Sequence, residues 1–283
     1  IADVDDDDDE SIDYPFYVTA HEVAHQWWAH QVIGGRVQGS TVLSETMSQY
    51  SALMVMEHEY GADKMKRFLE YEMDNYLSSR GMETKKELPL ILNEDQGYIH
   101  YRKGSVVMYA LKDYIGEDAV NQALADFLDE ARYQGPPYPN SLALLEHLKA
   151  VTPDSLLYVI EDMFETITLY ENRAIEATAT ENADGSYLVQ VHVESSKFRA
   201  DSLGNESEID VRDFIDIGVF GEDENGDEVT LYLRKHRIAS GEQQIDVRVD
   251  ALPLRAGIDP GYKLIDRHKD DNVVDVEMGD GSG

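Results

Sequence analysis

His21-Glu22-Val23-Ala24-His25, continued by Gln26-Trp27-Trp28, is the stretch from which the rest of the chain is best read. Its two histidines stand four positions apart. On a helix that is about 400° of rotation, so both imidazoles leave the same face one turn apart. Two nitrogens placed in this way can reach one metal ion at about 2.0–2.1 Å. Glu22, beside His21, can lean toward a bound water without taking a coordination position.

The pentapeptide is the pattern of zinc peptidases, but His and Glu recur by chance, and a surface helix can carry the same residues. A third ligand has to be found, because a catalytic zinc keeps three protein ligands and one open position. The candidates are His30, Glu45 and the cluster Glu57-His58-Glu59. His30 lies five positions past His25, about 140° off the ligand face. It also misses the longer HExxHxxGxxH pattern, whose third histidine would fall at Gln31 and whose glycine would fall at Trp28. His30 therefore reads as a polar helix-end residue. Glu45 follows the glycine-bearing turn Gly34–Gly39 and opens the next helix, so an antiparallel return could bring it against the first. Taken alone, it reads better as a first-turn glutamate favoured by the helix dipole. Gln49, one turn on, shares its face and is a candidate for hydrogen bonding behind the ligands.

Around this core the chain of 283 residues divides by texture. Residues 1–15 hold the run Asp5–Asp9 and read as an acidic, disordered lead-in; the run lacks the glycine and the spacing of a calcium loop. Residues 16–171 are nearly all helical in pattern. Helices are expected over about 16–32, from Ser40 or Thr41 (either of which could cap) to Tyr60, and over about 62–79. Further helices are expected over about 101–115, 117–133, 141–150 and 154–168. Pro89 marks a loop over 81–96, and Leu43, Met47, Tyr50, Leu53 and Met54 form a packing set in the second helix. Residues 172–270 alternate apolar and polar, as in Tyr187–Val193, Asp213–Phe220, Glu228–Leu233 and Gln244–Val249. Turn signals at Asp184-Gly185 and Asn225-Gly226 separate them. A small antiparallel β-sandwich is expected there, with a loose tail over 271–283. The fold class is α+β.

The formal net charge is −33, from 57 acidic against 24 basic residues. Such a surface repels nucleic acid and anionic membrane, and its simplest reading is solubility. The absence of cysteine excludes disulfide scaffolds, zinc fingers and thiol catalysis. No apolar run approaches the ~20 residues that span a bilayer, and the sequence leaves localisation open.

The motif in its wider setting is specific. His21–Trp28 followed by Leu43-Ser44-Glu45-Thr46-Met47-Ser48-Gln49-Tyr50 resembles the aminopeptidase N family of zinc peptidases, the gluzincins to which leukotriene hydrolase belongs. That resemblance implies a thermolysin-like, mainly α-helical catalytic portion. It also implies one zinc ion held by His21, His25 and Glu45, with Glu22 as general base. Tyr101-Arg102-Lys103-Gly104-Ser105 resembles the family's Tyr-Glu-Lys-Gly-Ala segment, whose tyrosine stabilises the oxyanion, which implies that role for Tyr101. A peptide substrate follows. The wording His25–Val32 and Tyr50–Glu57 is most similar to peptidase domains fused to bacterial ABC-transporter permeases, which implies a membrane transporter portion of a parent chain as a further partner.

There are departures from the family pattern. The gap between His25 and Glu45 holds 19 residues, one more than is usual, and Ser44, Thr46 and Arg102 replace Asn, Gly and Glu. The family's Gly-Ala-Met-Glu-Asn segment, which recognises the substrate's free amine, would precede Ile1, so the chain is expected to be part of a longer one. The competing expectation is a non-hydrolytic zinc-containing module that binds peptides or a transporter partner.

Overall fold

The computed structural model describes residues 12–279. The aspartate run and the closing residues 280–283 lie outside the described residues. The chain forms two compact units. One is residues 1–168 together with the turn 200–205, and the other is 169–199 with 206–283.

In the first unit α1 runs Tyr14–Ala24. Pro15 sits in its first turn, where a missing N–H costs nothing, and the Asp13 carboxylate accepts from Phe16 N at 3.0 Å as its cap. Helical structure thus begins inside the expected lead-in. It also ends earlier than the expected Val32. Bonds from Gln26 N to Val23 O and Trp27 N to Ala24 O tighten the last turn, and Ala29 adopts φ 103°. A short bridge between Trp28 and Val32 replaces the helix and buries both side chains.

After the glycine turn, a π-helical turn Val42–Thr46 leads into α2, Met47–Tyr60. Neither expected cap operates: the Thr41 hydroxyl accepts from Asn93 Nδ2 at 2.7 Å instead. Gly39 is obligatory in the turn before it. Its φ is +77°, and a Cβ would come within 2.1 Å of Ile91 O. Leu43, Met47, Tyr50 and Leu53 are buried as expected, but Met56 takes the place of Met54 in the core.

α3 is Met65–Met82, and a second π-helical turn, Tyr98–Lys103, runs into α4, Gly104–Ile115. Gly104 to Leu111 are all buried, which makes α4 the central helix of the unit. α5 (Glu117–Ala131), α6 (Ser141–Val151) and the short α7 (Leu157–Ile160) complete it. No helix of the described residues is long and apolar enough to cross a membrane.

The second unit is a β-structure of eight strands: β1 Ile167–Glu181, β2 Tyr187–Ala200, β3 Glu206–Ile209, β4 Arg212–Glu222, β5 Glu228–Ala239, β6 Gly241–Val249, β7 Arg255–Ile258 and β8 Val273–Met278. Their order is β3-β2-β1-β8-β7-β4-β5, with β6 paired to β2. Three expectations change. β1 starts within the stretch expected to be helical. The tail contains a strand, β8. The sheet is not purely antiparallel, because β8 lies parallel to β1, Ala177 opposite Val276, while it runs antiparallel to β7. β8 reaches this place from β7 through the long connection 259–272, which is anchored by buried Tyr262, Leu264 and Ile265.

Candidate metal and active site

α1 presents His21, its C-cap residue presents His25 from the same side, and the π-helical turn before α2 delivers Glu45 to them. Glu45 Oε2 lies 3.4 Å from His21 Nε2 and 3.5 Å from His25 Nε2. The two imidazoles meet edge to face, centroids 4.8 Å apart. One ligand atom from each of the three residues falls within 4.8 Å of the others, a grouping that recurs nowhere else among the described residues. Two imidazoles and a carboxylate are a donor set that suits zinc with one position left open.

The surroundings prepare this set. His25 Nδ1 lies 2.9 Å from Trp28 O. A carbonyl only accepts, so Nδ1 carries the proton and Nε2 keeps its lone pair toward Glu45. This bond exists because the helix stops at Ala24: a continuing helix would have committed Trp28 O to its own ladder. Ser48 Oγ is also 3.0 Å from the same Nδ1. Trp28 is held in turn by its indole, which donates to Ser51 Oγ at 3.1 Å. Burial pushes the Glu45 carboxyl up, but hydrogen bonds with His21 and Tyr101 outweigh it and hold the group at about 2. Glu45 is therefore ionised at any working pH.

Tyr101, on the second π-helical turn, joins the site. Its ring lies 5.7 Å from that of His21, and its hydroxyl is the hydrogen-bond partner of Glu45. Burial first, then the Glu45 carboxylate, pushes the phenol up to about 12, so it remains a donor at neutral pH. Glu22 is exposed beside the triad.

Two candidates fall elsewhere. His30 folds back so that its Nδ1 donates to His25 O at 2.7 Å, away from the triad. Gln49 Nε2 donates to Glu72 Oε1 at 2.9 Å. The hydrogen bond expected behind the ligands comes instead from Ser48, one position earlier, which sequence reasoning passed over. Gly104 of the Tyr-Arg-Lys-Gly block packs against the residue after Glu45, and a Cβ there would come within 2.6 Å of Thr46 Oγ1. Thr46 Oγ1 donates to His100 O at 2.7 Å, tying the two π-helical turns together.

The model of the peptidase family M1 domain matches residues 2–164. Human endoplasmic reticulum aminopeptidase 2 is 25% identical over 131 residues, which is 41% of this chain and 13% of that protein. Endoplasmic reticulum aminopeptidase 1 of Rattus norvegicus is 26% identical over 125 residues, again 41% and 13%. The chain thus spans 13% of the length of either relative. A crystal structure of a mutant M1 zinc metallopeptidase from Deinococcus radiodurans, bound to a Tyr-Ser-Ala substrate, is 21% identical with a TM-score of 0.40, covering 51% of this chain and 32% of that one. With a match that covers more than half of its residues, and with the whole triad inside that match, the chain belongs to peptidase family M1.

Proposed function

We propose that the chain hydrolyses peptide bonds at a zinc site held by His21, His25 and Glu45, releasing residues from the amino end of peptides. The observation that carries this reading is the convergence of His21 Nε2 and His25 Nε2 on one Glu45 oxygen, at 3.4 and 3.5 Å. A zinc ion held there supplies Lewis acidity, which polarises a carbonyl and lowers the pKa of water toward about 7. Glu22 takes the proton of the attacking water and passes it to the leaving amine, as base and then acid. Tyr101 donates its hydroxyl proton to the oxygen that becomes negative at the tetrahedral stage. The names of both curated relatives support the aminopeptidase form of the reaction. A permease portion of a longer parent chain is the partner implied by the wording of the motif.

The test is metal analysis combined with one substitution. Purified protein is expected to hold about one zinc per chain, and Glu22→Gln to keep the metal while losing cleavage of an aminoacyl fluorogenic substrate. Protein that stays metal-free after zinc-replete preparation would sink the site. Bound zinc without cleavage, in this chain and in a longer form alike, would favour the non-hydrolytic binding module.

A further inference from the structure

Glu72 on α3 is fully buried and lies outside the metal triad. Its Oε1 accepts from Tyr17 Oη at 2.8 Å and from Gln49 Nε2 at 2.9 Å. Arg102 Nη1 reaches both of its oxygens, at 3.3 and 3.1 Å. Each donor is a near neighbour in sequence of a site residue. Tyr17 is four positions before His21, Gln49 four after Glu45, and Arg102 directly follows Tyr101. Positions four apart on a helix share a face. Holding Tyr17 therefore fixes the rotation and height at which α1 presents His21, and holding Gln49 does the same for the turn that presents Glu45. Arg102 is further pinned over the Tyr71 ring, at 5.1 Å, which fixes the backbone next to Tyr101.

The ion pair needs a reason other than stability. A buried pair is often no more stable than well-packed apolar side chains, although removing one partner is costly. Burial pushes the Glu72 carboxyl up, and Arg102, ahead of the other donors, pulls it back. The departure at position 102 fits this account. A glutamate in the place of Arg102 would set a second carboxylate against Glu72.

We propose that Glu72 is a positioning residue: through Tyr17, Gln49 and Arg102 it sets the mutual placement of His21, Glu45 and Tyr101. The proposal rests on the zinc-peptidase reading of the site. Its test compares Glu72→Gln and Arg102→Met with Lys112→Met, which breaks the Lys112–Glu57 pair of the same unit (2.7 and 2.5 Å), remote in sequence from the ligands. Zinc affinity is read by competition with a chromophoric chelator, and melting temperature alongside it. Glu72→Gln is expected to weaken zinc binding about 10-fold or more while Lys112→Met stays within about 2-fold, both lowering the melting temperature. Arg102→Met is expected to lower kcat in the wild-type background, with KM unchanged, and to have no further effect on kcat in the Tyr101→Phe background.

Equal zinc affinity in all the variants, a loss in Lys112→Met that matches its fall in melting temperature, or additive kcat losses would each overturn the proposal and leave the zinc-peptidase reading intact. Zinc binding that falls in Glu72→Gln alone, in a chain that cleaves nothing, would uphold the positioning of the triad while removing the peptidase reading. Wild-type protein without zinc affinity would overturn both.

Discussion

In the helical unit, Glu72 and Glu45 take their hydrogen bonds from side chains on other elements. The β unit's Asp259 and Asp266 take theirs from backbone. Asp259 accepts from Lys263 N at 3.1 Å and Leu264 N at 3.0 Å, and Asp266 from His268 N at 2.9 Å and Asn172 N at 2.8 Å. The difference is one of reach. A side-chain donor crosses from one helix to another, so the carboxylate fixes elements against each other and can hold a constellation to the tolerance that chemistry demands. The backbone donors Lys263 N, Leu264 N and His268 N close turns within the connection 259–272 that leads to β8, and Asn172 N ties that connection to β1. The contrast belongs to these four acids and not to the units as wholes, because the buried Asp213 and Asp216 of the β unit also accept from side chains, Tyr170 and Lys197 for the first and Lys235 and Lys263 for the second.

The largest effect that bears on this contrast is expected at Tyr101. If Tyr101 serves the oxyanion as proposed, Tyr101→Phe removes one donor from it, and the rate of peptide cleavage is expected to fall by about 10²–10³-fold. Zinc content and melting temperature should stay near wild type, because the phenol contributes its hydroxyl to the site and not to a core contact. Steady-state kinetics beside metal analysis check this. A fall in zinc content equal to the fall in rate would mean that Tyr101 builds the triad instead of serving the reaction.

The β unit should answer to pH through Asp259. Burial raises Asp259 to about 7, ahead of the opposing Leu264 and Lys263 N–H groups, and the neighbouring Asp216 charge adds to the rise. Its value in the unfolded chain is about 3.9. The folded state therefore holds the proton more tightly, and this group's contribution to stability is complete at low pH. It is lost as the pH climbs from about 4 to about 7, a change on the order of a few kcal/mol. Asp259→Asn abolishes that slope. Between about pH 5 and pH 8 the variant's melting temperature should gain on that of wild type, since only the wild type must ionise a buried acid. Parallel curves across that range would show that Asp259 is ionised in the folded state throughout.

What could be read from the sequence follows the same division. His21 and His25 were legible because helical spacing is a local fact, and the family wording pointed to Glu45 and Tyr101. The stop at Ala24 was not legible, since no glycine or proline marks it. Ala29 takes φ 103° because Trp28 and Val32 are both drawn into the core. Glu72 was invisible for a stronger reason. Its donors sit at positions 17, 49 and 102, and only the odd arginine at 102 hinted at an acidic partner. β8 was lost in a glycine-rich end, although Val273-Val274-Asp275-Val276 carries enough apolar character for a strand. β1 was misread because residues 161–166 join α7 to it without a glycine or proline to mark the boundary.

A smaller effect is expected where the two halves of the site are clamped. Gly104→Ala places a methyl within 2.6 Å of Thr46 Oγ1 and 2.7 Å of its Cγ2. Overpacking of this kind costs about 1–3 kcal/mol. Thr46 cannot yield freely, because its hydroxyl is committed to His100 O. Combining it with Thr46→Ser, which removes the methyl but keeps the hydroxyl, is expected to recover part of the loss in thermal denaturation. A double variant no more stable than Gly104→Ala alone would place the strain in the α4 backbone.

The smallest effect separates a charge that looks important from one that is. In the β1–β2 turn, Asp184 pairs with Arg248, both side chains well exposed. It also accepts from Ser186, through Oγ at 2.7 Å and N at 3.2 Å. The Asp184 carboxyl lies below the usual range, with the Ser186 hydroxyl as the leading cause and Arg248 a lesser one. Exposed ion pairs are weak because water screens them and two long side chains lose freedom in forming them. Arg248→Ala should therefore shift the melting temperature by less than about 2 °C, and the shift should shrink further in high salt. Ser186 is buried, and its hydroxyl also receives Asn182 Nδ2 at 2.9 Å, so Ser186→Ala strips the turn of two bonds at once. It is expected to lower the melting temperature more than Arg248→Ala does, independently of salt. The reverse ranking would mean that the long-range charge, and not local closure by short polar groups, sets the register of β1 against β2.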